Sequence, residues 1–348
     1  MSVTDEITDE VRFEVLRRIN EAQRIVITGH ISPDDDSIAS VISTYYAITR
    51  TLGHTDVRMV YPGVRMPRWS SFELYDRIEF TDDLESAIED ADLVIFLDGN
   101  QWHRFGLEAM EVETICIDHH HYETLEFDLN IIDPTAASTT EMIEKIFYTN
   151  GELDEMIAPI LLMGILGDTG RFRFITPKNA QVLITAHRLI MESNLNVQSF
   201  LAGYHLRSLK AHPLYVKLLS RAQMIELPGW PKAMYSYLEE DEVEGVDDDP
   251  ISEAAHQFVS YALQVESIDW TFVGTPRSDG SVKVSLRSLP GSVNVKDIAT
   301  LMGIGGGHDR AAGGTFKKLT PAQAAAWMLE WCEAHDAPKD EQQVTTNK

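Results

Sequence analysis

Cysteine, positive charge and long apolar runs are all scarce in this chain of 348 residues. Its two cysteines, Cys116 and Cys332, fall on a predicted buried strand and a predicted terminal helix. They provide no disulfide framework and read as packing residues in a reducing compartment. Lysine and arginine number 29 against 55 acids, a net charge of -26. That balance argues against a protein that holds long duplex nucleic acid through a broad basic face. A small phosphorylated substrate stays open, because a few local cations or metal ions reverse the field inside one pocket. The most apolar window, Met156 to Gly167, falls short of the roughly 20 residues that span a bilayer, so no membrane association is expected. The N-terminus, MSVTDEITDE, has four acids, no base and no apolar core, which does not read as a secretory signal. The expected location is cytoplasmic. No internal repeat or low-complexity segment is present, and nothing in the sequence specifies an oligomeric state.

What the chain does contain is a soluble globular composition, 44% hydrophobic and 24% charged, at a length that favours two domains over one core. After an amphipathic helix at about 9–22, strands are predicted at Arg24 to Thr28, Asp56 to Tyr61, Leu93 to Leu97 and Thr114 to Ile117, with an edge strand at Asn130 to Ile132. Unbroken apolar runs such as LVIFL suit a parallel sheet covered by helices on both faces. Ser138 and Glu141 form a capping-box pattern opening a helix toward Tyr148. Two further helices are predicted near Asp154 to Leu166 and Lys178 to Ser193. A second pattern follows, with strands at Ala233 to Leu238, Thr271 to Gly274 and Val282 to Leu286. Its helices are expected near Ser252 to Val265, Val295 to Leu301 and Pro321 to Ala334. The acidic run Glu239 to Asp249 reads as a solvated loop and helix entry. The fold class is therefore α/β: an N-terminal domain over 1–193, a linker over 194–212, a smaller α/β domain over 213–335 and a disordered tail over 336–348.

The predicted strands of the first domain end in polar clusters. His30, Asp34, Asp35 and Asp36 follow the first, Asp98 follows LVIFL, and Asp118, His119, His120 and His121 follow TICI. Asp168 in GILGDTG is read as a fourth cluster of this kind. Taken singly these have ordinary explanations: a helix cap for Asp36, turn formers at the lone aspartates, a polar turn for the histidines. Together, His30, Asp34, Asp36, Asp98, His119 and Asp168 would lie on one edge of one sheet. So many imidazoles and carboxylates resist being gathered unless cations sit between them. Mixed nitrogen and oxygen ligation without cysteine suits Mn²⁺, with Mg²⁺ or Zn²⁺ less suited by ligand hardness. Two ions roughly 3.5–4 Å apart activate a water and clamp the leaving oxygen of a phosphoester, so the chemistry expected is metal-assisted phosphoester hydrolysis. In the second domain Gly305, Gly306 and Gly307 precede His308. They read either as a flexible loop or as backbone N–H groups for an anion, with a helix N-terminus crowding behind. Arg287, at the end of the SLRS strand that contains Ser285, reads either as a surface residue or as a fork for the same anion.

These segments resemble the DHH/DHHA1 phosphoesterase family, the RecJ-like group that includes nanoRNases and pAp phosphatases. HISPDDDSIAS, FLDGNQWHRFG, IDHHH and GILGDTGRFRF resemble its four N-terminal motifs, and SLRS with GGGHDRAAGG resembles the DHHA1 signature, in family order over about residues 24–316. The resemblance implies that His30 and Asp34 hold one Mn²⁺, that Asp36, His119 and Asp168 hold the other, and that Asp98 bridges them. It implies that His120 faces the scissile phosphate, that Asp118 orients the histidines, and that Ser285, Arg287, Gly306, Gly307 and His308 bind substrate, with hydrolysis in the cleft between domains. Asp35 departs from the pattern, standing where a small residue is common, and His121 is an extra imidazole. The activity implied is trimming of short single-stranded oligonucleotides to mononucleotides, with pAp dephosphorylation beside it. A cyclic or linear dinucleotide phosphodiesterase shares the same site chemistry, and a non-catalytic nucleotide-binding module would have lost a ligand. Inorganic pyrophosphatases share the first-domain motifs but not a GGGH-type second domain.

Overall fold

A computed structural model describes residues 7–122, 124–149, 153–204 and 208–339, and the chain divides into two compact units, Met1–His205 and Leu206–Lys348. The first unit is built on six parallel strands: β1 (Ile25–Gly29), β2 (Val57–Pro62), β3 (Glu79–Thr81), β4 (Leu93–Leu97), β5 (Glu113–Asp118) and β6 (Leu129–Ile132). They are ordered β3-β2-β1-β4-β5-β6. Around them run α1 (Asp9–Glu21), α2 (Asp35–Tyr46), α3 (Leu84–Ile88), α4 (Thr139–Ile143), α5 (Ile157–Asp168), α6 (Val182–Glu192) and α7 (Val197–Tyr204). Every residue of β1 and β4 is buried, and alternate side chains serve two cores. Ile25, Ile27, Leu93, Ile95 and Leu97 join the cluster under α1, α2 and α5, while Val26, Val94 and Phe96 join the one containing α3, Phe105 and Phe127. Burial on both faces is why these strands are apolar without interruption. Helix α5 is buried from Ile157 through Leu166 apart from Pro159, which explains its lack of a polar stripe. A Cβ on Gly29 would collide with the Tyr61 hydroxyl and Ser37 Oγ, which are hydrogen-bonded to each other. Only glycine closes β1 at that point.

The second unit carries a mixed sheet ordered β11-β12-β10-β9-β8-β7, from β7 (Gln223–Ile225), β8 (Ala233–Tyr237), β9 (Trp270–Pro276), β10 (Val282–Ser288), β11 (Gly305–His308) and β12 (Ala311–Phe316). Only β8 and β9 pair in parallel. Helices α8 (Ala211–Arg221) and α9 (Asp248–Ala262) share one core with Met234 and Val273. Helices α10 (Val295–Leu301) and α11 (Pro321–Ala334) share another with Val282, Val284 and Leu286. The acidic run forms a turn at Glu240–Glu242, whose Glu242 pairs with Arg221 at 2.7 Å, and then the first turn of α9, where carboxylates favour the helix dipole.

Several expectations need correction. The glycine run is no turn before a helix: Gly305–His308 is an edge strand paired with Gly314 through Ala311 of β12. A Cβ on Gly305 or Gly307 would strike the β12 backbone, so these glycines serve close strand approach. Asp168 ends α5 rather than a strand. The segment at 194–212 contains α7 and the start of α8. Asn294 N–H donates to the Pro338 carbonyl at 2.9 Å, and Val293 bridges Lys339, so the chain is paired as far as 339. The rest of the expected tail, 340–348, lies outside the described residues. Among the described residues no helix is long and apolar enough to cross a membrane.

Candidate metal centre

Strand β1 pairs with β2 on one side and β4 on the other, so the strand order reverses between β1 and β4. In parallel sheets that reversal opens a crevice beyond the carboxyl ends of the two strands. His30 follows β1 and Asp98 follows β4 directly at this point, while β5 ends in Asp118 and passes into His119 and His120. The helices supply the rest. Asp34 is the cap of α2, its Oδ1 accepting from Ser37 N–H at 3.0 Å. This corrects the capping role considered for Asp36. Asp36 is instead fully buried on the first turn of α2 and accepts the N–H groups of Thr139 at 2.7 Å and Thr140 at 2.9 Å, where α4 begins.

His30 Nε2 lies 3.2 Å from Asp98 Oδ2 and 3.9 Å from Asp34 Oδ2. His119 Nε2 lies 2.8 Å from Asp168 Oδ2, 3.8 Å from Asp98 Oδ1 and 4.0 Å from Asp36 Oδ2. The donors thus fall into two trios within 4.8 Å, His30 with Asp34 and Asp98, and Asp36 with His119 and Asp168; Asp98 also groups with His119 and His120. Asp98 turns one oxygen to each side. Its backbone is left-handed at φ 63, a costly conformation for a residue with a side chain. It is held by its N–H on the Ile117 carbonyl at 3.1 Å and by Thr139 Oγ1 donating to Oδ1 at 3.0 Å.

The ring tautomers follow from the partners. His30 Nδ1 must donate to the Ile31 carbonyl at 2.8 Å, because a carbonyl only accepts. In the neutral ring Nε2 then carries a lone pair facing carboxylates, which is the orientation of a metal ligand. His120 Nδ1 contacts Asp118 Oδ1 at 2.7 Å, and its ring stands 4.4 Å from that of His119. Burial opposes charge on His30, but Asp98 and Asp34 lift it to about 9. Burial likewise opposes protonation of His120, and Asp118 raises it. Asp36 is pushed well up by burial and by Asp98 and Asp168. Burial works against ionisation of Asp98, yet His30, then His120 and His119, hold it well below the carboxylate range. Among the described residues, buried His119 Nε2 and Asp118 Oδ2 have no hydrogen-bond partner despite the short His119–Asp168 approach. An unpartnered imidazole nitrogen among carboxylates that raise one another fits a divalent cation, which relieves both strains at once.

The sequence reading missed the residues that hold this arrangement. Asn100 Nδ2 donates to the carbonyls of His120 and His121, each at 3.3 Å, and so shapes the histidine turn. His121 itself is exposed. Thr139 and Thr140 clasp Asp36 and Asp98; the Ser138 helix start was legible, but not what it would point at. Asp35 accepts from Trp69 Nε1 at 2.8 Å, and Arg68 stacks 3.8 Å above that indole and donates to the Pro33 carbonyl at 3.2 Å. The departure at Asp35 thus anchors the ligand loop to the segment after β2. Glu141 accepts from Ala137 N–H at 2.8 Å, one residue before the capping-box target.

In the second unit Ser285 and Arg287 lie on β10. Arg287 donates to the Leu286 carbonyl at 2.8 Å and lies 3.3 Å from His256 Nε2. Among the described residues it forms no ion pair, and burial lowers its guanidinium from the ordinary value. Gly306 and Gly307 lie on β11. The side chain of His308 lies outside the described residues.

A parallel sheet whose switch point gathers carboxylates and imidazoles that could hold a divalent metal, followed along the chain by a mixed-sheet unit, points to a phosphoester hydrolase. Family profiles match twice: the DHH family, N-terminal domain, over residues 24–165, and the DHHA1 domain over residues 231–332. The bifunctional oligoribonuclease and PAP phosphatase NrnA of Thermus thermophilus is 32% identical over 319 residues, 91% of this chain and 91% of that protein. The chain belongs to the DHH phosphoesterase family and carries a DHHA1 domain. It is also similar to the cyclic-di-AMP phosphodiesterase PdeA of Listeria monocytogenes, at 25% identity over 91% of this chain and 48% of that protein. In fold it matches the crystal structure of an exopolyphosphatase-related protein from Bacteroides fragilis, with a TM-score of 0.81 at 21% identity over 95% of this chain and 98% of that one.

Proposed function

We propose that this enzyme hydrolyses short single-stranded oligonucleotides to mononucleotides and also dephosphorylates pAp, using two divalent cations, Mn²⁺ in preference to Mg²⁺. The observation that carries the reading is the two donor trios, His30 with Asp34 and Asp98 and Asp36 with His119 and Asp168, with Asp98 Oδ1 3.8 Å from His119 Nε2 between them. His30, Asp34 and Asp98 would hold one ion, and Asp36, His119, Asp168 and the second oxygen of Asp98 the other. When bound, the ions supply charge for the phosphate and lower the pKa of water at neutral pH. The chain's own residues do the remainder. His120, steadied by Asp118, faces the scissile phosphate to stabilise its charge or to protonate the leaving oxygen. Asn100 sets the turn that presents it. The second unit binds substrate through Ser285, Arg287, the Gly306 and Gly307 backbone and His308.

A net charge of -26 disfavours long polymers, and the relative similar over nine-tenths of both chains is named an oligoribonuclease and PAP phosphatase. Both cysteines are buried and free, which goes with a cytoplasmic setting. A second reading, a cyclic or linear dinucleotide phosphodiesterase, is favoured by the likeness to PdeA. A non-catalytic module is disfavoured because none of the six donors is missing. Purified protein with Mn²⁺ should convert a 5′-labelled dinucleotide-to-pentanucleotide series to mononucleotides and release phosphate from pAp. Absence of turnover at every length overturns the proposal, and faster turnover of a cyclic dinucleotide favours the second reading.

A further inference from the structure

Between Asp168 and Glu192 the chain, which carries 55 acids in all, has none, yet it places Arg171, Arg173, Lys178 and Arg188 there. Arg188 pairs with Glu144 and Glu192, while among the described residues the other three form no ion pair. The stretch opens with a tight turn. Gly170, Arg171 and Phe172 are successively left-handed, at φ 54, 60 and 66, a costly backbone for the two that carry side chains, and such strain gathers at functional sites. Buried Thr169 enforces the turn, its Oγ1 accepting from Phe172 N–H at 3.1 Å and its carbonyl from Phe174 N–H at 3.0 Å. Two side chains are thereby seated on Gly170. A Cβ there would fall 2.3 Å from the Phe174 ring, and the Gly170 carbonyl accepts from Arg173 Nε at 2.9 Å. The Arg173 guanidinium stands 5.6 Å from the centre of the same ring, within cation–π range. Phe172 and Ile175 pack against the core under α1, α2 and α5, whereas Phe174 between them is 60% exposed. The seat lies wholly within the first unit, just past Asp168. Asp168 is also the open member of its trio, 23% exposed beside 14% for His119 and none for Asp36. Proteins that hold single-stranded nucleotides present such a surface, with a base stacked on an exposed ring and the phosphate on a cation that meets no acid.

We propose that Phe174 and Arg171 form a nucleotide platform beside the metal centre, the ring stacking one base of the bound oligonucleotide and the guanidinium taking a phosphate, with Arg173 fixing the ring. This rests on the short-oligonucleotide reading above and adds to it a place where the first unit recognises a base. The test uses full-length protein with Mn²⁺, a 5′-labelled dinucleotide, and two analogues of it that are abasic at one position or the other. In wild-type protein, removing the stacked base should lower kcat/KM by about five- to tenfold, the low end of base–ring stacking. In Phe174→Ala the same removal should cost nothing further, and Phe174→Trp should restore the preference. Arg171→Ala should raise KM by about three- to fivefold on all three substrates, the scale of one exposed charge contact. It should also make the log–log salt dependence shallower by about 0.7, one phosphate's share on a single strand, and Arg171→Lys should retain the slope. A base preference that is the same in Phe174→Ala as in wild type overturns the stacking, and an unchanged salt slope in Arg171→Ala overturns the phosphate contact; either result leaves the oligonucleotide reading intact. Altered sedimentation of Phe174→Ala with unaltered kinetics also overturns the platform, and makes the segment an interface between copies of the chain. Wild-type protein inactive on all three substrates overturns the oligonucleotide reading and the platform with it.

Discussion

In the first unit carboxylates and imidazoles converge at the carboxyl edge of a parallel sheet; in the second, Lys283 and Arg287 share one face of an antiparallel strand and form no ion pair among the described residues. The first set has His30, Asp36 and Asp98 buried and is clamped from several elements: Asp36 by the start of α4, Asp98 by Thr139 and a left-handed backbone, His120 by Asp118. The second has a looser frame, with Arg287 touching its own strand and His256. The contrast matches two demands. Metal ligation requires donors fixed before the ion arrives, whereas an oligonucleotide backbone is held by charge at intervals and tolerates adjustment.

The largest expected effect strikes the shared carboxylate. Asp98→Asn keeps the shape and a residue type that accepts left-handed backbone, yet removes the charge that faces His30 with one oxygen and His119 with the other. Activity should be abolished with the circular dichroism spectrum and melting cooperativity retained; an active variant would mean that Asp98 does not join the two trios. Next comes Asp118→Asn, which leaves an acceptor for His120 but not the negative charge. Losses of about 10–100-fold in kcat are expected, as for groups that orient ligands from behind. Retention of wild-type kcat would break the assignment of His120. A smaller change follows from Trp69→Phe, which strips Asp35 of its 2.8 Å hydrogen bond. It should cost about 1 kcal/mol of stability and weaken Mn²⁺ binding severalfold by calorimetry, because Asp34 and Asp36 flank Asp35. Unchanged affinity would show that the loop needs no anchor. Smallest of all, the thiols should be silent. Burial drives Cys116 far up and Cys332 to about 12, so neither should react with iodoacetamide in native protein at neutral pH. Selective labelling of Cys116 would contradict a closed first unit.

Much of this was legible because the signals are local. Doubly buried strands such as LVIFL leave an apolar run whatever surrounds them, and the donors end or follow such runs. Their company, not any single residue, identified the site. What escaped depended on long-range packing. Strand β3, EFT, is a short half-exposed edge with no apolar run to announce it. The glycines at 305–307 looked like a turn because the backbone freedom that makes a loop also lets two strands approach closely. Asp168 sits at the end of α5, the helix expected over about 154–166, although the sequence groups it with donors that end strands. Thr139, Thr140, Asn100 and Trp69 reach the site from other segments, through hydrogen bonds that no spacing along the chain reveals.

The central claim is that the donors meeting at Asp98 hold two divalent ions that the enzyme needs for phosphodiester hydrolysis. It is tested most directly by titrating chelator-stripped wild-type protein with Mn²⁺, counting bound ions by equilibrium dialysis while following cleavage of a labelled dinucleotide. The account predicts two ions per chain, with cleavage absent from the stripped protein and appearing as the sites fill. Cleavage that persists without metal, or binding that saturates at one ion with full activity, would contradict it.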